Sequence, residues 1–385
     1  LIRLDADDIF DENILLVLCN HLERHPEIAL VFPDYFMMDH TGNVFGQERR
    51  TSIYQVNHLL DVPANGACTM IRKKILEEMG GYREDLGSQD GFDLWSKIIQ
   101  SYKCANVNLP LFYYRRHGTN LTAHEPKIFN ARRTIKKDAS SLALDKYSPI
   151  TVVIPCRKQY DIFPDLWSKK IDGKSLLSYA IEKCLASPIL DNIVVTSDNS
   201  ETEAALDMYN DSRIQFVHRP TDLTIRSRSI AMTLEHIIKE LNLDWNGMMA
   251  LSYIESPFSK TENIEEAIYT LIMNEADSAF AVRQFNSTVY RRTPHGLVPI
   301  NNMDYRIISD FDILYSQVKT ELAARNKNFK AGSLTGSKTV YFNVPENDAY
   351  FIQSQRDYKI AKILKEHHFE ESHPASITHT HVAFR

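Results

Sequence analysis

The chain has 385 residues, 43% of them hydrophobic and 24% charged, with a formal net charge of -6. That length fits two or three soluble globular domains, and the acidic balance argues against a role built on nucleic-acid or membrane-surface binding. No apolar run nears the roughly 18 residues of a membrane span, no signal peptide is visible, and five scattered cysteines without a CxxC pair fit a reducing, cytoplasmic setting.

Residues 1–4 (LIRL) read as a short apolar strand, followed at once by Asp5, Asp7 and Asp8. Carboxylates crowded at a strand end repel, and a divalent cation with oxygen ligands is one answer. The other is an Asp-rich turn capping a helix from about residue 11. Apolar residues at Ile14, Leu15, Leu18 and Leu22 form a helical stripe. Residues 28–32 read as a buried strand, 40–43 as a turn and 66–71 as a strand. A helix over 73–79 is stopped by Gly80 and Gly81.

The run GSQDGFDLW at 87–95 opens a helix reaching about residue 102. Asp90 and Asp93, three apart, fall near one face of its first turn. Either carboxylate fits a general base at a pocket mouth, and Asp90 equally fits a helix cap. A strand over 107–114 leads into YYRRHGTN at 113–120, where Arg115 and Arg116 suit diphosphate oxygens and His117 suits a metal.

These segments, in this order, resemble the catalytic half of family 2 glycosyltransferases of the GT-A fold, over about residues 1–135. Asp5 and Asp7 match that family's Asp-x-Asp metal motif, and Gly80, Gly81 and Tyr82 its Gly-Gly-aromatic segment. Asp90 matches the acceptor-deprotonating Asp, and His117 its late Tyr-Arg-x-His loop. The resemblance implies Mn²⁺ or Mg²⁺ at Asp5, Asp7 and His117. It also implies a nucleotide-sugar donor near Asp8, Arg115 and Arg116, a glycan or other hydroxyl acceptor, and inversion at the sugar carbon. Gly91 is an extra residue within the motif and leaves Asp90 and Asp93 both open as the base. The family's opening nucleotide-binding units have no counterpart here, and the chain is expected to be a piece of a longer protein.

Residues 136–149 are expected as a linker, with a boundary near Ser148. Beyond it, strands are expected at 150–154, 192–196, 214–217, 248–251 and 278–282. Helices are expected at 174–185, 229–241 and 262–273, the last capped by Thr261. Alternating strands and helices imply a second α/β unit with a mainly parallel sheet. Residues 319–330 are charged and are expected to be a solvated face.

Residues 150–366 resemble the acylneuraminate cytidylyltransferases, the CMP-sialic acid synthetase group. Pro155, Arg157, Pro164, Gly173, Lys174 and Leu176 match their opening pattern, and Asp198, Arg219, Pro220, Ser256, Pro257, Asp357, Tyr358 and Ala361 fall at later equivalents. Arg157, Lys174 and Asp198 would then be remnants of a nucleotide loop. The departures concentrate on the chemistry. Lys158 and Gln159 replace glycines whose bare amides cradle a triphosphate. Asp161 replaces a lysine, Leu166 and Trp167 replace Lys-Asn, and Phe311 and Asp312 replace Asn-Gly. Tyr253 and Glu255 alter the Gln-Pro-Thr-Ser-Pro segment, and Phe351 and Gln353 replace a metal-binding Asp-Ile-Asp. The expectation is a retained fold with lost CTP chemistry, and a homodimer through this unit as in the resembled enzymes.

The tail from 367 holds His367, His368, His373, His379 and His381, without the spacing of a metal site. Three readings result: a glycosyltransferase carrying an inactive cytidylyltransferase-like unit, a bifunctional enzyme that also makes a CMP-activated acid sugar, and a non-enzymatic assembly module that dimerises.

Overall fold

A computed structural model describes residues 1–50, 66–117, 125–160, 163–225, 227–285, 287–301, 307–309 and 313–366. Asp161, Phe311, Asp312, residues 118–120 of the histidine loop and the His-rich tail lie outside them.

The first part runs β1 (Ile9–Phe10), α1 (Ile14–Arg24), β2 (Ile28–Met38), β3 (Val44–Arg49), β4 (Met70–Ile71), α2 (Lys73–Glu78), α3 (Asp90–Ser101), β5 (Lys103–Arg115) and α4 (Glu125–Leu144). Strand β2 is central, parallel to β5 and antiparallel to β3 and β4. Its near-continuous burial matches a strand covered on both faces. One face carries Ile14, Leu18 and Leu22 of α1, and the other carries Leu94, Trp95, Ile98 and Ile99 of α3.

The second part runs β6 (Thr151–Pro155), β7 (Lys170–Ile171), β8 (Lys174–Ser175), α5 (Leu176–Leu185), β9 (Asn192–Ser197), α6 (Ser200–Ala204), β10 (Ile214–His218), α7 (Ile230–Glu240), β11 (Met248–Ser252) and α8 (Thr261–Met273). It continues with β12 (Ser278–Gln284), β13 (Tyr290–Thr293), β14 (Gly296–Pro299), β15 (Ile307–Ser309), β16 (Tyr315–Arg325), β17 (Thr339–Asn343) and α9 (Gln355–Glu366). Its seven-stranded sheet has the order β10-β9-β6-β11-β16-β12-β17. All neighbouring pairs are parallel except those of β16, which is antiparallel to β11 and β12. Helices α5 and α8 cover one face and α7 the other. The chain is an α/β protein with a mainly parallel second sheet.

Four expectations are corrected. Residues 1–4 are not a buried strand. Only Ile2 makes a bridge, to Met70, and Leu1 and Leu4 are 62% and 47% exposed. This stretch has a partner on one side only, so no ladder forms. Residues 66–71 divide into a tight helical turn, Gly66–Cys68, and the two-residue β4. Residues 319–330 are not a solvated face. Thr320, Glu321, Leu322, Ala323 and Ala324 are buried because β16 lies between two strands with both sheet faces covered. Finally, Thr261 is the first residue of α8 rather than its cap, and its hydroxyl donates to the Lys183 carbonyl at 2.8 Å.

The expected linker is largely helix. Helix α4 runs on to Leu144 and docks on α8. Lys136 Nζ lies 3.1 Å from Glu266 Oε1, Arg133 Nε lies 3.3 Å from Glu266 Oε2, and the Ser140 hydroxyl donates to the Tyr269 carbonyl at 3.0 Å. Strand β15 returns to the first sheet and pairs in parallel with β3.

Candidate functional site

The three leading aspartates sit on a turn between two sheet edges. Leu1 and Ile71 exchange backbone hydrogen bonds at 2.8 Å in both directions. The chain then turns, closed by Asp8 N–H to the Asp5 carbonyl at 3.2 Å, and enters β1 on β5. Because β5 ends at Arg115, this pairing brings residues 5–8 against Arg115 and His117.

Each carboxylate there meets a protein group. Arg3 Nε lies 3.2 Å from Asp5 Oδ1, and Arg3 Nη1 lies 2.6 Å from Asp90 Oδ2. The same guanidinium stands over the Tyr82 ring, 5.1 Å from its centroid. Asp7 Oδ2 is 2.8 Å from His117 Nε2, a contact that holds the Asp7 carboxyl below its ordinary range. Arg115 Nε donates to the Asp7 carbonyl at 2.7 Å. Asp8 is 8% exposed; Oδ1 accepts the Arg115 N–H at 2.8 Å and Oδ2 has no partner. Burial, with Asp7 and Asp5 nearby, pushes its carboxyl up to about 6. The mutual repulsion is therefore offset by Arg3, His117 and backbone N–H groups of the chain itself.

Helix α3 separates the two candidate bases. It opens on Gln89, which has a left-handed φ of 63°. Asp90, the first helical residue, faces Arg3 and is part-exposed. Asp93 is 2% exposed and turned inward, with Lys97 Nζ at 2.6 Å and Arg83 Nη1 at 3.7 Å. Arg83 also reaches Asp85 at 2.6 Å and Asp138 of α4 at 2.7 Å. Asp93 is thus a tie between helices, and Asp90 is the carboxylate at the open edge. The extra residue Gly91 has a packing role: a Cβ there would stand 3.4 Å from the Gly66 Cα.

The geometry joins Asp7 to His117 and turns Asp5 to Arg3. Arg116 is exposed; its N–H donates to the Met38 carbonyl at 2.8 Å. Among the described residues, no three His, Cys, Asp or Glu side chains converge as a metal-ligand set. Asp7 and His117 offer one carboxylate and one imidazole, hydrogen-bonded to each other at 2.8 Å; the carboxylate is the donor type that suits Mg²⁺ or Mn²⁺ beside the phosphates of a substrate.

A second constellation lies at the carboxyl ends of β6, β10 and β11, where α/β sheets place ligands. A cavity of about 180 Å³ is lined there by Arg157, Arg219, Arg228, Tyr160, Tyr253 and Glu255, among others. Arg157 stands over the Tyr160 ring at 4.8 Å. Arg219 is 4% exposed and donates through Nη2 to the Cys156 carbonyl, while its Nε has no partner. Glu255 Oε2 and Thr233 Oγ1 are also buried without partners. Burial raises the Glu255 carboxyl to about 7, against the opposing pull of Arg157 and Arg219.

Of Arg157, Lys174 and Asp198, Arg157 alone lines this cavity. Asp198 Oδ1 accepts the Lys158 N–H at 2.8 Å and so holds the loop. Lys174 is ion-paired with Glu182 beside Tyr179. Leu166 and Trp167 are core residues on a short turn, 0% and 8% exposed. Phe351 meets Tyr253 edge-on, 6.1 Å between centroids. Sequence reasoning missed Tyr160, Arg228 and Thr233 as lining residues. A usable signal was the Arg219-Pro220 step directly after a strand.

No protein-family model and no curated protein matches the chain. Among solved structures, the chain is similar to a 4-diphosphocytidyl-2C-methyl-D-erythritol synthase from Anaerococcus prevotii, at 16% identity and a TM-score of 0.45, over 58% of this chain and 99% of that one. It is also similar to a CMP:2-keto-3-deoxy-manno-octonic acid synthetase complexed with CTP, at 14% identity and 0.44, over 57% and 100%. A 2-C-methyl-D-erythritol 4-phosphate cytidylyltransferase from Francisella tularensis gives 16% and 0.42, over 56% and 99%.

Proposed function

We propose that the chain belongs to a metal-dependent glycosyltransferase whose first sheet carries the transfer site. The observation that carries this reading is the convergence at one sheet edge of groups from three distant segments: Asp5, Asp7 and Asp8, then Asp90, then Arg115 and His117. Asp90 receives the proton of an acceptor hydroxyl as that oxygen bonds to the sugar carbon and the bond to the nucleoside diphosphate breaks. Asp7 and His117 are the groups that would hold Mn²⁺ or Mg²⁺, which would supply positive charge to offset that of a departing diphosphate. Arg115 positions the Asp7 and Asp8 turn through its backbone N–H and guanidinium. Arg116 is an exposed cation beside that turn and suits donor phosphate oxygens.

In this reading the second unit is a nucleotide-binding fold without CTP chemistry. Its 180 Å³ cavity falls below the roughly 300–1,000 Å³ of sites that enclose a drug-sized ligand. A second reading, CTP-dependent activation of an acid sugar, has the Arg157, Arg219 and Arg228 cluster in its favour and the cavity's size against it. Homodimerisation through this unit is supported by the exposed β13–β14 hairpin, where Leu297 and Tyr290 are 67% and 54% exposed.

The test is release of UDP from a panel of UDP-sugars with Mn²⁺, in the chain and in the longer protein that contains it, beside calorimetric titration of CTP with Mg²⁺. Turnover that Asp7→Ala and Asp90→Asn each reduce by about 10²–10⁴-fold is expected. Tight CTP binding with pyrophosphate release would favour the second reading, and no turnover of any donor would sink the first.

A further inference from the structure

A second cavity lies apart from both constellations. It is a cleft of about 970 Å³ between α5, the loop entering α8, the stretch before α9 and the last turn of α9. None of its lining residues belongs to either site described above.

The walls of this cleft are aromatic. Tyr179, Phe258 and Tyr350 line it. Phe258 and Tyr350 meet edge-to-face at 5.5 Å, and the Tyr350 hydroxyl donates to the Asp357 carbonyl at 2.7 Å, which fixes that ring. The floor is polar but electrically balanced. Lys183 Nζ is 2.7 Å from Glu321 Oε1, and the Ser259 hydroxyl donates to the same oxygen at 2.6 Å. Lys260 Nζ is 3.6 Å from Asp348 Oδ1, and Asn263 Nδ2 donates to Asp348 Oδ2 at 2.9 Å. Glu182 is paired with Lys174. Lys365 stands over the Tyr179 ring at 5.6 Å. Helix α8 starts in this cleft without a side-chain cap; its Asn263 N–H donates to the Lys260 carbonyl at 3.1 Å, and the N–H groups before it are available to water or a ligand.

These features discriminate among ligand classes. A polyanion requires unpaired cations, yet Lys183 and Lys260 each have an acidic partner, and Glu182, Glu262, Glu346 and Asp348 outnumber the lining lysines. A polyamine requires several free carboxylates, yet Asp348, Glu182 and Glu346 are ion-paired with Lys260, Lys174 and Arg283, which leaves Glu262 at the exposed rim. An aliphatic ligand would displace water from floor groups such as Lys183 and Lys260, whose ammonium N–H donors are only partly used by their ion pairs, without replacing the lost hydrogen bonds. A neutral ligand with apolar C–H faces and many hydroxyls satisfies both surfaces: rings receive its faces, and paired carboxylates, Asn347 and backbone N–H groups receive its hydroxyls. We propose that this cleft binds a neutral saccharide of two to four units. The proposal stands independently of glycosyl transfer at Asp90.

The experiment is saturation-transfer NMR on the full chain with maltotriose, cellotriose and N,N′,N″-triacetylchitotriose, each at about 10 mM, above the roughly 1 mM dissociation constant expected of a shallow polar site. Saturation of the ring protons of at least one trisaccharide is expected. Phe258→Ala should weaken it about 10-fold or more. Asn347→Trp, at an exposed position, should block it without touching the core. Asp90→Asn should leave it unchanged, which separates this cleft from any acceptor subsite in the first sheet. Silence from all three sugars, a signal indifferent to Asn347→Trp, or displacement by spermidine or tripolyphosphate below the sugar concentration would each overturn the proposal.

Discussion

Asp90 and Asp93 belong to the same helical turn and have opposite fates. Asp93 is enclosed between Lys97 and Arg83, whereas Asp90 meets Arg3 at the open edge. Asp93→Asn removes the anion between two cations and should cost about 1–3 kcal/mol of stability in urea denaturation, with little direct effect on any proton transfer. Asp90→Asn should do the reverse. Glu255 makes a different prediction. Its carboxyl lies at about 7 in the folded chain, against an ordinary 4.5. Between those pH values the folded state holds more protons than the unfolded state, so stability falls as pH rises through the window and levels off above it. Glu255→Gln cannot ionise. Urea denaturation should therefore show wild type losing on the order of 1–3 kcal/mol relative to this variant between pH 5 and pH 8. Equal pH dependence in both proteins would refute the assignment. Asp8 acts in the same direction between its ordinary 3.8 and about 6.

Helix α4 shows how an element can look like a connector and act as a clamp. Its mean composition is polar, and only Ala131, Ile135, Lys136 and Ser140 are buried. Two of those are polar because their partners, Glu266 and the Tyr269 carbonyl, are on α8. Glu266 is 3% exposed and Lys136 2%. Glu266→Gln removes the buried carboxylate shared by Lys136 and Arg133 and should cost about 3–5 kcal/mol, read by chemical denaturation. Replacing Lys136 and Glu266 together with Met and Leu should recover most of that loss. A similar logic hides β16. Its central Lys319-Thr320-Glu321 run reads as surface, yet Glu321 is buried against Lys183 and Ser259. Polar residues paired across distant elements leave no periodic mark, which is why the burial of residues 320–324 and the docking of α4 are not legible in the sequence, whereas the apolar strands of the second sheet are legible to within a residue or two.

At the scale of the molecule, the two sheets share material. Strand β15 pairs with β3, Met273 of α8 belongs to the buried cluster that contains Ile71, Trp95 and Cys104, and Tyr147 after α4 meets Arg325 at 3.0 Å. Unfolding of the chain should therefore appear in calorimetry as one transition. Residues 150–385 expressed alone expose the α8 face that carries Glu266, Tyr269 and Met273. They should melt at least about 5 °C lower, since each 1 kcal/mol shifts a unit of this size by roughly 2–4 °C. Two separate transitions in the full chain would show that these contacts are too weak to couple the units. Among the described residues no helix is long and apolar enough to cross a membrane.

What local chemistry could determine was determined by the sequence: the apolar strands, the helices with one buried face, the Gly-Gly stop after α2, and the residues that crowd one sheet edge. What it left open was decided in three dimensions. The choice between Asp90 and Asp93, the pairing of Asp90 with Arg3 and of Asp7 with His117, the burial of Leu166 and Trp167 in the core, and the docking of α4 all depend on the tertiary structure. Hydrophobic periodicity is a property of neighbours along the chain, whereas the partner of a charge is a property of neighbours in space.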